Sequence, residues 1–465
     1  MTQRPIRLNA FDMNCVTHQS PGLWRHPDDA SWRYKDLGYW LDLARLLERG
    51  RFDALFIADV LGVYDVYGGS RDAAVRHAAQ VPVGDPLLTV PAMATVTRHL
   101  GFGITASTGF EHPYPFARRM STLDHLTKGR VGWNVVTSYL ESGARNIGLM
   151  GQASHDERYD IADEYLEVCY KLWEGSWEDG AVLRDKGSGV FADPSRVHAI
   201  EHEGRWFQVP GVHLCEPSPQ RTPVIFQAGA SARGRRFAGR HAEAIFTSGP
   251  TTEIIGPLVA DLRAELEAAG RRREDAVVYT MATVVVDETS RGAWAKHDEL
   301  RAHGSDEAAL VLLSGWTGLD LSGHDLDAPL QGGHQDAIQS AATAFLGSHP
   351  DGRPWTLRDI SAWASIGGRG PVFVGSPAEV ADEMQHWVEE TDVDGFNLAY
   401  AIAPGTMRDV VELLVPELQR RGVHRTEYED SSLRDRLFGA GDRLPERHTG
   451  AAFRRTPDTA AAELP

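Results

Sequence analysis

Residues able to do chemistry collect at the ends of short apolar, β-branched runs. Asn14, Cys15 and His18 follow the first run, and Asp59, Tyr64 and Tyr67 the second. Thr105 and Ser107 close the third, with Glu111 and His112 just beyond; Asn134, Thr137, Ser138 and Tyr139 close the fourth. Gln227, Gly229 and Ser231 follow the fifth, and Thr247 and Ser248 the sixth. The set is rich in neutral hydrogen-bonding groups and aromatics and poor in paired carboxylates. It suits a cofactor with many heteroatoms, whereas a glycosidase needs two facing acids.

One segment reads as an anion cradle. Gln227-Ala-Gly-Ala-Ser-Ala-Arg-Gly234 is a strand, a small-residue turn and a helix start. Free amides at the helix N-terminus, capped by Ser231, would hold a phosphate, with Arg233, Arg235 and Arg236 adding positive charge. It is not a Walker loop, because Arg235-Arg236 stands where Lys-Ser/Thr is needed, and an ordinary βα turn has the same spacing. His155 and Tyr159, four residues apart at the start of another helix, share one face near its positive end. Cys15 with His18 is a candidate thiolate–imidazole pair, although a lone Cys at a strand end is more often packed. Gly101-Phe-Gly-Ile-Thr-Ala106 matches a loose dinucleotide pattern, but it falls inside a strand and not at a turn opening a helix. His198 and His202 lack an HExxH glutamate, and no metal site is expected.

These groups need a scaffold, and the periodicity supplies one. Strands are predicted over 6–13, 54–58, 102–107, 131–137, 223–227, 244–247, 277–286 and 395–400. Helical patterns lie near 37–48, 87–98, 116–126, 156–173, 232–240, 252–269 and 407–420. This alternation predicts an α/β chain, a (β/α)8 barrel in which eight strands close the sheet, with a doubly wound open sheet as the rival. Residues 1–432 form the barrel domain, with long insertions after strands four and seven at about 174–222 and 302–372; 433–465 is a C-terminal extension. The second insertion is the natural lid over the strand ends.

Composition excludes several classes. The 465 residues carry 47 basic and 65 acidic side chains, a net charge of −18 that disfavours nucleic-acid binding. No apolar stretch is long enough to span a membrane, and the N-terminus lacks a signal-peptide pattern. Three scattered cysteines make no disulfide framework, so a cytoplasmic protein is expected.

The motif run resembles a known family. Asn9-Ala-Phe-Asp-Met-Asn-Cys-Val-Thr-His18, Glu48-Arg-Gly-Arg-Phe-Asp53, Ser121-Thr-Leu-Asp-His-Leu-Thr127, Gly129-Arg-Val-Gly-Trp-Asn-Val-Val-Thr-Ser138, His155-Asp-Glu-Arg-Tyr-Asp160, Phe226-Gln-Ala-Gly229 and Asp394-Gly-Phe-Asn-Leu398 are similar to the bacterial luciferase-like flavin monooxygenases. The branch is that of the nitrilotriacetate, dibenzothiophene-sulfone, dimethyl-sulfide and long-chain-alkane monooxygenases. The resemblance, over about 6–455, implies a luciferase-like barrel that takes FMNH2 from a separate NAD(P)H-dependent flavin reductase and inserts one atom of O2 into a small molecule. It implies flavin contacts from Asp59, Thr105, Ser107, Asn134, Ser138, His155, Tyr159, Gly229 and Ser231, with the last four at the phosphate. His18, Cys15 and Asn134 would stand at the reacting centre, His18 as hydrogen-bond or proton donor, and Tyr64, Gln80, Tyr139 and Trp316 would line the substrate pocket. A homodimer or homotetramer is implied as well.

Tyr139 and Leu312-Leu313 stand where the alkane branch has histidines, and with Trp316 they look more like the dimethyl-sulfide branch; Phe438-Gly-Ala-Gly-Asp-Arg-Leu-Pro445 resembles the alkane enzyme. The mostly neutral, aromatic pocket candidates favour a neutral organic or organosulfur substrate. A deazaflavin-dependent oxidoreductase, a non-catalytic flavin-binding protein and a metal-dependent barrel hydrolase are the competing readings.

Overall fold

A computed structural model describes residues 4–327 and 353–455. Eight parallel strands close into a barrel: β1 (Arg7–Met13), β2 (Ala54–Ala58), β3 (Gly101–Ser107), β4 (Val131–Val136), β5 (Val224–Gln227), β6 (Ala244–Thr247), β7 (Val277–Val286) and β8 (Gly395–Ala399). Each pairs with its neighbours in sequence order, and β8 returns to β1 with Asn9 opposite Asn397. The eight strands close on themselves, so the doubly wound alternative fails. The strands read as near-continuous apolar runs because both faces are covered. All ten residues of β7 are buried.

Inside, large side chains fill the lower cylinder. Phe56 stacks on Phe246 and Phe226 packs edge-on against both. Gly103 makes room for this: a methyl group there would lie 2.3 Å from the Phe226 ring. The glycines of the 101–106 pattern therefore serve barrel packing, in keeping with their place in a strand.

The helices that hold the strand ends begin with side-chain caps. Ser154 caps His155–Tyr170 and Ser231 caps Ala232–His241. The first insertion forms two short hairpins, Val182–Asp185 with Val190–Ala192 and His202–Glu203 with Gln208–Val209. The second contributes the helices Asp306–Thr317 and Leu357–Ala364; residues 328–352 of the expected lid lie outside the described residues. An additional strand, Val372–Gly375, lies parallel to β7 and feeds the helix Pro377–Thr391 that returns to β8. The start of the C-terminal extension packs under the barrel, where Leu433 and Leu437 join the cluster of Phe56 and Phe226. Residues 456–465 are outside the described residues.

Candidate active site

The carboxyl ends of the strands open onto one cavity. Its floor is apolar: Phe11 stacks on Phe56 at 5.0 Å and Phe56 on Phe246 at 4.4 Å, with Met13 and Met281 beside them. Above the floor the wall turns polar. Asn134 on β4 donates to Thr105 Oγ1 on β3 at 3.0 Å, and Ser138 donates to Ser107 at 2.7 Å. Ser138 takes a φ of 59°, the left-handed turn that brings its hydroxyl back over β3.

The predicted cradle is assembled from two helix starts. Ser231 Oγ accepts from the Gly234 amide at 3.0 Å and lies 3.2 Å from His155 Nε2, which ties the N-terminus of Ala232–His241 to that of His155–Tyr170. Gly229 leaves the space between them open, since a Cβ there would sit 2.2 Å from Gln227 Nε2 and 2.4 Å from the Tyr159 hydroxyl. Two positive helix ends and Arg158 face the cavity here, a ready anion site. Two of the three arginines named from sequence are bound to carboxylates. Arg233 binds Asp160 and Asp163 at 2.9 and 2.6 Å, and Arg235 pairs with Asp261 and the Ala230 carbonyl. Arg158, inside the His155–Tyr159 motif, takes their place, and its position one turn after His155 was the available signal.

Of the other expected residues, Asp59, Gln80, Tyr139, Trp316 and His18 line the cavity together with Thr105, Ser107, Asn134, Ser138 and the cradle residues. Burial pushes the Asp59 carboxyl up to about 7, against the stabilising Val60 amide. Burial likewise pushes the His18 imidazole down to about 3, despite its hydrogen bond to the Phe11 carbonyl. The ring is thus neutral at ordinary pH. Its Nδ1 is buried without a hydrogen-bond partner among the described residues.

Two expected residues stand behind the wall. Cys15 does not line the cavity; its thiol donates to the Thr17 carbonyl at 3.2 Å, and burial pushes it well above the usual range. A thiol so held is no nucleophile, which corrects the catalytic expectation for Cys15. Tyr64 is also outside the lining and is a hub instead. It donates to Gln80 Oε1 at 2.8 Å, accepts from Trp316 Nε1 at 3.2 Å and meets the Tyr139 hydroxyl. Gln80 passes the connection on to the His18 carbonyl at 2.9 Å.

Asn134 Oδ1, Gln227 Oε1, Gln19 Oε1 and His18 Nδ1 line this cavity, yet are buried without a hydrogen-bond partner among the described residues. Unsatisfied buried atoms in such a concentration mark a place where a ligand completes the bonding. An apolar floor, a ring of unpaired amide and imidazole atoms and an anion cradle at one end fit a flat heteroaromatic group with a phosphate tail, as in FMN. Among the described residues no cluster of His, Cys, Asp or Glu is arranged to hold a metal; His198 pairs with Glu178 and His202 with Glu164. No helix among them is long and apolar enough to cross a membrane.

The comparisons agree with this geometry. Residues 10–395 match the model of the luciferase-like monooxygenase family. The chain is 53% identical to a dimethyl-sulfide monooxygenase of Hyphomicrobium sulfonivorans, covering 97% of this chain and 94% of that one. It is 50% identical to a long-chain alkane monooxygenase of Geobacillus thermodenitrificans, covering 98% and 99%. A riboflavin lyase solved with modified FMN and riboflavin superposes with a TM-score of 0.91 at 38% identity, covering 97% of this chain and 100% of that one. The chain therefore belongs to the luciferase-like family of flavin-dependent monooxygenases.

Proposed function

We propose that the protein is the oxygenase of a two-component system, taking FMNH2 from a separate NAD(P)H-dependent flavin reductase and using O2 to oxygenate a small organic or organosulfur molecule. The carrying observation is the cradle of Ser231, His155, Gly229 and Tyr159 at one end of a cavity whose buried polar atoms await a partner. Those four residues, with Arg158, hold the phosphate; Asp59, Thr105, Ser107, Asn134 and Ser138 face the rest of the flavin. When bound, reduced FMN supplies the two-electron activation of dioxygen. The chain binds it, orients it over the phenylalanine floor and keeps water out. Asn134 and the neutral His18 place hydrogen-bonding atoms at the reacting face, while Gln80, Tyr139 and Trp316 wall the substrate side. We place this work in the cytoplasm, in a homodimer or homotetramer that light scattering distinguishes.

Incubation with FMN, a flavin reductase, NADH, 18O2 and a panel containing dimethyl sulfide, medium and long alkanes, dibenzothiophene sulfone, and alkyl and thioether carboxylates and sulfonates tests the reading. It requires a product carrying one labelled oxygen. Peroxide as the only product across the panel, or no affinity for FMN in either redox state, overturns it. Turnover with a reduced deazaflavin in the absence of O2 would move the protein to the hydride-transfer reading.

A further inference from the structure

From the geometry of the substrate side we infer that the substrate carries a compact organic anion, a carboxylate or sulfonate, which Arg369 binds inside the cavity. The inference rests on the oxygenase reading and refines it. Arg369 lies at the end of the second insertion, between Gly368, packed on Gln19, and Gly370, packed on the Met281 carbonyl. It therefore enters from the β1 and β7 side, whereas the phosphate cradle is built on β5 and the helix at His155. The flavin phosphate already has a site across the cavity.

Among the described residues Arg369 has no counter-ion. Its guanidinium lies 5.1 Å from the centre of the Trp316 ring and lines the cavity. Its Nε has no hydrogen-bond partner, and no carboxylate among the described residues pairs with it; desolvation pulls the guanidinium below its usual range, with Tyr139 and Tyr64 acting only against that shift. An arginine keeps its proton in such a place, so the charge is uncompensated. Arg369 is half-buried, so part of its hydration is lost without a compensating partner, and an arriving anion would offset that cost.

The neighbouring bonds leave the role of charged donor to Arg369. Trp316 donates to Tyr64, Tyr64 donates to Gln80 and Gln80 donates to the His18 carbonyl. With the Tyr64 proton spent on Gln80, the Tyr139 hydroxyl must donate to Tyr64. The hydroxyl and indole donors of that cluster are used up internally, and one Gln80 amide hydrogen is left over. A guanidinium lying against an indole ring still presents its in-plane N–H groups, the fork that matches carboxylate geometry. The neutral substrate expected from the pocket residues overlooked this side chain, which lies far from them in sequence.

Calorimetric titration of the full-length protein with hexanoate, hexane-1-sulfonate and hexanamide, with and without FMN, tests the inference without depending on turnover. Wild type should bind one or both anions at least tenfold more tightly than the amide. Arg369→Met should lose that preference, Arg369→Lys should keep part of it, and both variants should bind FMN within twofold of wild type. Equal binding of anion and amide by wild type, no anion binding at all, anion binding unchanged in Arg369→Met, or an equal loss of FMN affinity each overturns the proposal. Failure of the labelled-oxygen experiment with anion binding intact would sink the oxygenase reading and leave the anion site standing.

Discussion

His18 and Asp59 face the same cavity and are shifted in opposite directions by the same cause, since burial penalises whichever form is charged. For His18 the unfolded chain gains a proton below the ordinary 6.5, whereas the folded chain resists until about pH 3. Stability is therefore lost as pH falls through 6.5 towards 3. Between pH 7 and pH 5 this one residue should account for about 2 kcal/mol. Urea unfolding at both pH values should show a smaller acid loss in His18→Asn than in wild type. Asp59 holds its proton up to about 7 in the folded chain, so the pH profile of kcat/KM should inflect near there, and Asp59→Asn should remove the inflection. Arg369 belongs to this scale too, because one unpaired charge decides what the cavity admits.

At the scale of elements, the cradle depends on two helices beginning at the same point. Ser231 was readable as a cap, because a cap needs only a hydroxyl and a free amide a few residues away; Ser154, which does the same for His155–Tyr170, emerged from the structure. That the two caps meet, with Ser231 on His155, depends on β5 placing its turn beside the helix after β4. Gly229→Ala should leave the fold intact, since the added methyl meets the movable ends of Gln227 and Tyr159. It should weaken FMN binding at least tenfold by pushing those ends into the cradle, a loss that fluorescence titration of FMN measures. The helix pattern over 407–420 is legible in the same local way, yet the structure resolves it into Gly405–Asp409, a π turn Val410–Leu414 and Val415–Arg420. Periodicity fixes a helical face, but it does not report one extra residue in a turn.

For the whole molecule, the barrel is held at its closed end by the C-terminal extension. Arg434, fully buried, donates to both carboxylate oxygens of Glu243, with Nε–Oε1 at 2.6 Å and Nη2–Oε2 at 2.9 Å, and also to the Thr222 and Pro223 carbonyls. The pair joins the extension to the start of β6. Arg434→Met strands the Glu243 charge and should cost about 3–5 kcal/mol in a denaturant titration. Because Leu433 and Leu437 fill the underside of the aromatic core, deletion of 433–465 should lower the melting temperature further than Arg434→Met does. Composition alone would have left this polar, arginine-rich stretch outside the fold; residues 433–455 pack onto the barrel because their charges meet buried partners distant in sequence.

By itself the sequence determined the eight strands, their parallel order and the capped turn after the fifth. These follow from apolar periodicity, β-branched runs and hydroxyl caps, which act over a few residues. The tertiary structure alone decided that Cys15 turns to the Thr17 carbonyl, that His18 stays neutral, that Arg158 lines the cradle while Arg233 and Arg235 bind carboxylates, and that Arg369 lines the cavity. Those outcomes depend on desolvation and on which chain-distant groups come within bonding distance, and closure of the barrel sets both.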